Sequence, residues 1–417
     1  MTAQLPPPAQ VATHTVNPRT STREWQTERM SGRAHVSRDV FLGVSAPQVG
    51  DAEIDELLDA IRSGWLTSGP KVSVFQDRLA DYLHAPYVRC LNSCTAGLML
   101  ALRVLGVGPG DEVLVPSLTF VSCANVVEQL GATPVLVDSE PQAGLIDLAH
   151  AETVVTRRTR AMVPVHLGGF PLDLDAVGAF AVRHGIDVVE DAAHAIGGEW
   201  GGRKVGSHGN LTAFSFHATK NITTFEGGAL AMRGDALAER VERLSLHGLT
   251  RSSWARHGDL APGTYDVPEP GYKSAMNDVS AAVGIHQLKR LDEWIERRRE
   301  LADLYDARLA GLPLELPPRP GPRGRHAHHF YAVKIGEDAV RDRDEVMEGL
   351  RERNVGSTVH FRAIHLHSYY RDRYGIAAGD LPVAADWSAR SLTLPLFPAM
   401  GEDDVEDVAS ALEAVLA

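Results

Sequence analysis

Residues 188–230 read VVEDAAHAIGGEWGGRKVGSHGNLTAFSFHATKNITTFEGGAL. The segment begins with an apolar, strand-like run that ends at Asp191, and His194 lies in the turn that follows. A second strand-like run, TAFSFH at Thr212–His217, comes shortly before Lys220. In an open α/β sheet, ligands bind in the crevice outside the carboxyl ends of the strands. We therefore expect Asp191 and Lys220 to share one crevice.

Short apolar runs alternate with helical segments on both sides of this stretch. Such an alternation is typical of a largely parallel, buried sheet. The sequence therefore predicts an α/β fold with a mostly parallel central sheet flanked by helices. The strand candidates outside the opening stretch are YVRCLN at Tyr87–Asn92, EVLVPS at Glu112–Ser117, TPVLVD at Thr133–Asp138 and AMVPVHL at Ala161–Leu167.

The character of the sequence changes after about Leu288. A long charged helix with an apolar stripe is followed by the Pro/Gly/Arg-rich LPPRPGPRGRH and by the strand candidate HHFYAVKI. We predict a large cofactor-binding domain at residues 41–290 and a smaller C-terminal α+β domain at residues 291–417. Residues 1–40 show no sustained apolar period, so they are predicted to be a disordered arm.

The segment DAEIDELLDAIRSG, which begins at Asp51, predicts an amphipathic helix. Its apolar residues recur at helical spacing, and Asp51 is the expected N-cap. The residues placed on one face are Ile54, Leu57, Leu58 and Ile61.

Charge and cysteine content exclude several classes of partner. The chain has 41 Lys+Arg against 54 Asp+Glu, a formal net charge of −13. An acidic surface repels nucleic acid and anionic lipid, and no apolar run approaches the roughly 18 residues of a spanning helix. Cys90, Cys94 and Cys123 show neither metal-type spacing nor a disulfide framework, which fits a reducing cytoplasm. We expect Cys94 and Cys123 to be small packing residues.

Lys220 and Asp191 form the pair that pyridoxal phosphate (PLP) requires. A lysine amine forms a Schiff base with this cofactor, and a carboxylate pairs with its pyridinium nitrogen. The lysine must be partly neutral to react, and desolvation or a neighbouring cation lowers its pKa. Once displaced by substrate, the freed amine can carry the proton between the substrate Cα and the cofactor.

A seat for the cofactor phosphate is predicted at LNSCTAGLMLAL, residues Leu91–Leu102. A strand end, a small-residue turn containing Cys94 and a helix start follow one another there. Backbone N–H groups and the positive end of a helix dipole favour a phosphate. Thr95 and Ser215 add hydroxyl donors, and Phe120 lies past another strand end, where an aromatic ring can stack on the pyridine.

Each of these residues also has an ordinary structural interpretation. A lone lysine near a strand end is usually a surface charge. Asp191 alone is more often a helix N-cap, and Phe120 alone is more often part of a core. The whole set in one order favours the cofactor site, which no single member would do.

From about Phe41 to the C-terminus, the sequence resembles the sugar aminotransferases of the DegT/DnrJ/StrS group, of PLP fold type I. Several blocks match in the right order, which is more specific than one short motif. They are SGWLTSGP at Ser63–Pro70, GPGDEVLVPSLTF at Gly108–Phe120, EDAAHAIG at Glu190–Gly197, FSFHATKNITTFEGG at Phe214–Gly228, LHG at Leu246–Gly248, HFRAIHLHSYY at His360–Tyr370 and LTLPLFPAM at Leu392–Met400.

The resemblance implies a role for each site residue. Lys220 is the implied imine lysine, Asp191 the implied partner of the ring nitrogen, and His194 a neighbour of the ring. The remaining implied roles are phosphate contacts from Thr95 and Ser215, ring stacking by Phe120, and sugar-nucleotide contacts from His329 and Arg362.

The resemblance also implies a reaction and an assembly. The family moves an amino group from glutamate or glutamine to a keto sugar on a nucleotide diphosphate, and this chain looks most like the branch acting on 4-keto sugars. Its members are dimers with shared active sites, so a homodimer is implied. A keto-cyclitol is an alternative substrate. Relatives that are PLP-dependent sugar dehydratases have histidine where Lys220 stands, and a non-catalytic relative would lack Lys220 or Asp191.

One segment departs from the family pattern. The family usually reads GYKYN or GYNYR and supplies a partner-subunit asparagine to the phosphate, whereas Gly271–Asp278 reads GYKSAMND. Ala275 falls at the asparagine of the KYN type, so Lys273 or Asn277 replaces it or the phosphate has one donor fewer. A histidine-rich part of the C-terminal region makes a metal site conceivable, but we predict none. Its histidines are His326, His328, His329, His365 and His367.

Overall fold

The computed structural model describes residues 38–250 and 264–417, which belong to one compact unit, Val36–Ala417. Most of the predicted arm at residues 1–40 therefore lies outside the described residues. The α-helices are α1 Asp51–Arg62, α2 Pro70–Leu83, α3 Cys94–Val104, α4 Ser122–Gln129, α5 Leu148–Val154, α6 Leu174–His184, α7 Asp235–Ser245, α8 Asp278–Leu309, α9 Arg343–Arg351, α10 Ser368–Tyr374, α11 Pro382–Arg390 and α12 Glu402–Leu416.

The strands form one large and two small sheets within the described residues. The large sheet has the order β1-β9-β8-β5-β4-β2-β3, and the small ones have the orders β10-β12-β13 and β11-β6-β7. The strands are β1 Tyr87–Leu91, β2 Glu112–Pro116, β3 Thr133–Val137, β4 Thr159–Met162, β5 Asp187–Asp191, β6 Glu199–Trp200, β7 Arg203–Lys204, β8 Leu211–Ser215, β9 Gly228–Met232, β10 Leu314–Glu315, β11 Gly324–Arg325, β12 Tyr331–Ile335 and β13 Ser391–Leu394.

The large sheet is mostly parallel, which confirms the predicted fold class. Neighbouring strands from β8 through β5, β4 and β2 to β3 pair in parallel, and β9 alone in this sheet runs against its neighbours β1 and β8. All five residues of β2 and of β8 are buried. Strands covered on both faces need continuous apolar runs, which is why these segments read EVLVP and LTAFS.

The carboxyl ends of β1, β5 and β8 meet at one edge of the sheet. Antiparallel pairing places Gly228, the first residue of β9, opposite both Leu91 and Ser215. β5 and β8 are paired in register, with Asp191 opposite Ala213. This edge brings together Asp191, the start of α3 after Leu91 and the turn after Ser215, which contains Lys220.

Helix α8 connects the core of the large sheet with the core of the small sheet β10-β12-β13. Its first half contributes Leu291 and Trp294 to an apolar cluster with Phe214 of the large sheet. Its second half contributes Tyr305 to a cluster with Val333 of the small sheet β10-β12-β13. The domain division at residues 290 and 291 falls inside this continuous helix and stays a prediction.

Helix α1 forms where the sequence predicts it, but its cap differs. Gly50 is the N-cap, and the Glu53 carboxylate accepts a hydrogen bond from Gly50 N at 3.0 Å. The expectation that Asp51 is the N-cap is therefore wrong, because Asp51 is already the first helical residue.

In the parts of the chain that the structure describes, no helix is long and apolar enough to cross a membrane.

Candidate active site

Asp191 is held rigidly at the end of β5. Its backbone N–H donates to Pro164 O at 2.9 Å, and its carbonyl accepts from His166 N at 3.1 Å. Its Oδ1 accepts a hydrogen bond from Ala193 N at 2.9 Å. The carboxylate is buried and points into the crevice at the sheet edge, as its contacts with residues of α3 and α4 show.

Two of the cysteines contact this carboxylate. Cys123 Sγ lies 3.0 Å from Oδ2 of Asp191, and Cys94 Sγ lies 3.8 Å from Oδ1. Both side chains are buried, as expected for packing residues. The expectation was incomplete, however, because it gave them no polar partner.

Lys220 lies in the turn between β8 and β9, where its backbone N–H donates to His217 O at 3.0 Å. Burial lowers the pKa of its ammonium to about 8, and the negative charge of Asp191 opposes this shift. A lysine with a pKa of about 8 is neutral in about a tenth of molecules at pH 7, far more than an ordinary lysine. The structure thus brings Lys220 and Asp191 into one site, as the sequence predicted.

His329 lies next to the Lys220 amine, and its protonation pattern follows from its neighbours. Asn221 Nδ2 donates to Ala327 O at 2.7 Å, so the Asn221 Oδ1 atom faces Nδ1 of His329, at 3.2 Å. Nδ1 must therefore carry the proton. Nε2 is left as an acceptor, 3.5 Å from Nζ of Lys220.

Burial lowers the pKa of the His329 ring well below its ordinary value, and the positive charge of Lys220 adds to the shift. The ring is therefore neutral at neutral pH. A neutral ring with a lone pair on Nε2 can accept a hydrogen bond from the Lys220 amine. His329 was predicted to touch the sugar nucleotide, and the structure places it beside the amine of Lys220.

His194 lies beside the same group. Its Nδ1 accepts from Gly168 N at 3.3 Å, which assigns the remaining proton to Nε2. Its ring stacks on His329, with centroids 4.6 Å apart, and on Phe361 at 5.8 Å. Burial lowers the pKa of His194 well below its ordinary value, with a further contribution from Lys220. The ring is thus a neutral, flat surface beside the lysine.

The predicted phosphate seat lies at the start of α3. Ser93 is the N-cap, and its hydroxyl accepts from Ala96 N at 3.1 Å. The first N–H groups of a helix have no partner within the helix, so those of Cys94 and Thr95 are available to an anion. The Thr95 side chain is exposed, while Ser215 is buried and its Oγ accepts from His217 N at 3.4 Å.

Gly228 lets the α3 turn approach the sheet. A Cβ at this position would lie 2.4 Å from the carbonyl carbon of Ser93 and 2.5 Å from Cys94 N. Such distances are far inside van der Waals contact, so any side chain would push the turn away. The close approach of α3 to β9 therefore depends on glycine.

The remaining predicted residues lie farther out. Phe120 is 55% exposed, and its ring lies 5.9 Å from that of Phe361. Arg362 is also exposed, and its guanidinium donates to Leu366 O at 3.0 Å. Both therefore line the outer part of the site instead of its floor.

Three residues at the site were not singled out from the sequence. Asn221 fixes the His329 ring. The ring of His360 stacks on that of Phe330, with centroids 4.6 Å apart. Nδ1 of His360 also shares a hydrogen bond with Thr393 Oγ1 at 2.9 Å. Phe361 covers His194. Burial lowers the pKa of His360 to about 4. Asn221 adjoins Lys220, and HFRAIHLHSYY contains His360 and Phe361, so the signal was present without an assigned role.

The departing segment, Gly271–Asp278, packs beside the phosphate seat. Asn92 N donates to Ser274 O at 2.7 Å, and Ala275 bridges to Leu91. The Asn277 side chain caps α8 by accepting from Ser280 N at 2.8 Å. Lys273 is exposed, so it has the freer side chain of the two proposed replacements.

Among residues 38–250 and 264–417, no group of three or more His, Cys, Asp or Glu side chains is arranged to hold a metal ion. A cleft of about 730 Å³ lies between α2, β1 and α7, and its lining includes none of the predicted site residues. The predicted site residues therefore lie outside this cleft, at the sheet edge.

Comparison with known proteins identifies a family. Residues 47–413 match the model of the DegT/DnrJ/EryC1/StrS aminotransferase family. The spore coat polysaccharide biosynthesis protein SpsC of Bacillus subtilis is 44% identical over 381 residues, which cover 91% of this chain and 98% of SpsC.

Solved structures agree with this match. Spr1654 from Streptococcus pneumoniae superposes in its PMP form with a TM-score of 0.84 and 32% identity, covering 90% of this chain and 100% of that one. Its PLP form gives a TM-score of 0.83. The sugar aminotransferase CalS13 from Micromonospora echinospora gives 0.80 and 30% identity, covering 89% of this chain and 99% of that one.

Proposed function

The chain belongs to the DegT/DnrJ/EryC1/StrS aminotransferase family, and on that premise we propose that it aminates a keto sugar carried on a nucleotide diphosphate. The amino group comes from glutamate or glutamine, and Lys220 holds the cofactor as a Schiff base. The observation that supports this most strongly is the placement of Lys220 and Asp191 at one sheet edge, beside the start of α3.

The residues at this edge fit PLP, the cofactor of the family. Lys220 supplies an amine with a lowered pKa, and Asp191 supplies a buried carboxylate that is contacted by the backbone N–H of Ala193 and by the thiols of Cys94 and Cys123. A buried carboxylate favours a cationic partner, which suits a protonated ring nitrogen. The free N–H groups at the start of α3 suit a phosphate.

When bound, the cofactor withdraws electron density from the bond that breaks at the substrate Cα. Asp191 keeps the proton on the ring nitrogen through its negative charge. Nζ of Lys220 moves the proton to and from Cα, and Nε2 of His329 accepts a hydrogen bond from that amine. The neutral ring of His194 packs beside the cofactor ring, and Phe120 covers the site from the solvent side.

The names of the relatives support a sugar substrate. SpsC is a spore coat polysaccharide biosynthesis protein, and CalS13 is a sugar aminotransferase. For this chain we propose a nucleotide-linked 4-keto sugar, with the exposed Arg362 as a contact for the nucleotide part. An enzyme that uses such cytosolic substrates works in the cytoplasm, and we propose that location.

We also propose a homodimer with shared active sites. The apolar face of α1 is open to solvent in the single chain, with Ile54, Leu58 and Ile61 exposed by 45%, 38% and 49%. An apolar face of this kind on a folded chain favours burial against another protein surface. Lys273 is proposed to reach the phosphate of the partner's site in place of the family asparagine.

Incubation with a panel of nucleotide-linked keto sugars and keto-cyclitols, each with glutamate or glutamine, tests the reaction. Mass spectrometry should report exchange of oxygen for an amine on one of the nucleotide-linked 4-keto sugars. Lys220→Ala is the inactive control. Amination of only a free cyclitol, or loss of the oxygen without an amine gained, would show that the substrate or reaction class is wrong.

Subunit mixing tests the shared site. Lys220→Ala and Lys273→Ala are expected to be inactive or weakened alone, and a mixed dimer contains one site with both lysines intact. Activity should therefore appear after the two variants are unfolded together and refolded. Sedimentation of the wild type as a monomer, or a mixture no more active than its components, would contradict the shared site.

A further inference from the structure

The carboxylate of Asp191 lies between two cysteine side chains from different helices. Cys94 is the first residue of α3, and Cys123 lies in the first turn of α4. Cys123 Sγ is 3.0 Å from Oδ2, Cys94 Sγ is 3.8 Å from Oδ1, and Ala193 N also donates to Oδ1. Of the two thiols that contact this carboxylate, that of Cys123 is thus the closer one, and it lies against Oδ2.

The geometry makes both thiols donors. Burial raises the pKa of Cys94 and of Cys123 well above the ordinary value, and the charge of Asp191 adds to both shifts. Each therefore keeps its proton at neutral pH, and a neutral S–H facing a carboxylate oxygen donates to it. Thr119 Oγ1 lies 3.7 Å from Cys123 Sγ, where its hydroxyl can donate to the sulfur and so orient the S–H.

A thiol is a weaker donor than a hydroxyl or an N–H group. It can fix the rotation of a carboxylate without neutralising much of its charge. A strong donor at the same place would stabilise the anion and compete with any cation that the anion is meant to hold. The full burial of Cys123 also keeps water, which is a stronger donor, away from Oδ2.

We propose that Cys123 is a positioning residue: its S–H holds Oδ2 of Asp191 in the orientation that meets the ring nitrogen of the cofactor, while leaving the carboxylate charge available to that nitrogen. Cys94 supports the other oxygen at a longer distance. This inference rests on the proposed function, because it concerns how Asp191 serves the bound PLP.

The test uses Cys123→Ala, which removes the donor, and Cys123→Ser, which replaces it with a hydroxyl. Cys90→Ala is the matched control, because Cys90 is a buried cysteine on β1 whose recorded contacts do not include Asp191. For each protein, the absorbance of the bound cofactor is titrated against pH, and the PLP dissociation constant is measured by equilibrium dialysis.

Cys123→Ala should raise the PLP dissociation constant about 3- to 10-fold, as loss of one hydrogen bond from a weak donor predicts. The midpoint of its Schiff-base absorbance should move to higher pH, because a ring nitrogen that holds its proton less firmly places less positive charge near the Schiff-base nitrogen. Cys123→Ser should lose less affinity than Cys123→Ala, because it still orients the carboxylate. Its stronger donor should nevertheless also move the midpoint to higher pH, because it competes with the ring nitrogen for the carboxylate charge. Cys90→Ala should change neither quantity, even where it lowers stability.

Two outcomes separate this inference from the proposed function. If Cys123→Ala titrates and binds PLP like the wild type, Cys123 has no positioning role, and the proposed function is unaffected. If the wild type itself binds no PLP at Lys220, the proposed function is wrong, and the positioning role, which rests on it, is overturned as well. Equal shifts in the Cys123 and Cys90 variants would show a general packing effect and would overturn the positioning role.

Discussion

Nε2 of His329 lies 3.5 Å from Nζ of Lys220, although the two residues are 109 positions apart in the chain. Asn221, the residue after Lys220, fixes the tautomer of the His329 ring through Nδ1. The lysine and the ring that accepts its hydrogen bond are therefore positioned by the same turn. This pairing links the conformation of the turn after β8 directly to the protonation of the reactive amine.

Replacing His329 should slow the reaction by removing the acceptor from the Lys220 amine. We expect His329→Phe to reduce the rate of amino transfer about 10- to 100-fold, the effect of one hydrogen bond to a charged group. His329→Gln retains an acceptor oxygen and should lose less. Rapid-mixing measurement of the cofactor absorbance after addition of the amino donor compares the two, and equal rates in both variants would contradict the role.

The lowered pKa of Lys220 predicts how its reaction with PLP depends on pH. The amine is half neutral at about pH 8, against 10.5 for an ordinary lysine, so covalent attachment to the apoprotein should accelerate as pH rises through about 8. Because Asp191 raises this pKa, Asp191→Asn should move the midpoint to lower pH. A midpoint near 10.5 in the wild type would rule out the buried, lowered state of the amine.

The same pKa shift predicts a change in apoprotein stability. Between about pH 8 and 10.5, the unfolded chain holds a proton on Lys220 that the folded chain has lost. The free energy of unfolding should therefore rise with pH across that window. Below about pH 8 it should be lowered by the full cost of keeping a charged Lys220 buried. Urea titrations of the wild type and Lys220→Met check this, since the variant should lack this component of the slope.

Asp191→Asn should leave the fold intact and slow the reaction severely. The amide oxygen can still accept from Ala193 N, but the negative charge opposite the ring nitrogen is gone. We expect a loss on the order of 10²- to 10³-fold in kcat, as for removal of one electrostatic stabiliser. Asp187→Asn, at the opposite end of β5, is the control and should keep near-normal kcat. Normal turnover in Asp191→Asn would disprove the assigned role.

Gly228→Ala should loosen the phosphate seat. Its Cβ would meet the Ser93 and Cys94 backbone at 2.4–2.5 Å, so α3 must move away from β9. Overpacking of this kind costs about 1–3 kcal/mol in unfolding free energy, and the affinity for PLP should fall as well. Gly178→Ala in α6 is the control, because a Cβ there has open space. Unchanged PLP affinity in Gly228→Ala would argue against this seat.

Local patterns predicted the elements that position the site. The run VVED places Asp191 at the end of β5, and the predicted helix start after the small-residue turn is found at Cys94, the first residue of α3. Both features depend on neighbours in the sequence, namely apolar continuity and a capping residue at Ser93. This is the information that a single sequence carries most directly.

Contacts between distant segments were not predictable in the same way. Nothing in the spacing of Cys94 and Cys123 indicates that both thiols reach Asp191, since that depends on how α3 and α4 pack on the sheet. The amphipathic pattern of α1 was also ambiguous. It predicted an apolar face but not what covers it, and Ile54 and Leu58 are exposed in the single chain.

The measurement that addresses the central claim most directly is chemical labelling of the reactive lysine. The purified holoprotein is reduced with borohydride, digested, and mapped by mass spectrometry. The account predicts a pyridoxyl group on Lys220, with no label in Lys220→Ala. A label on another lysine such as Lys204 or Lys273, or active protein with no label at all, would contradict it.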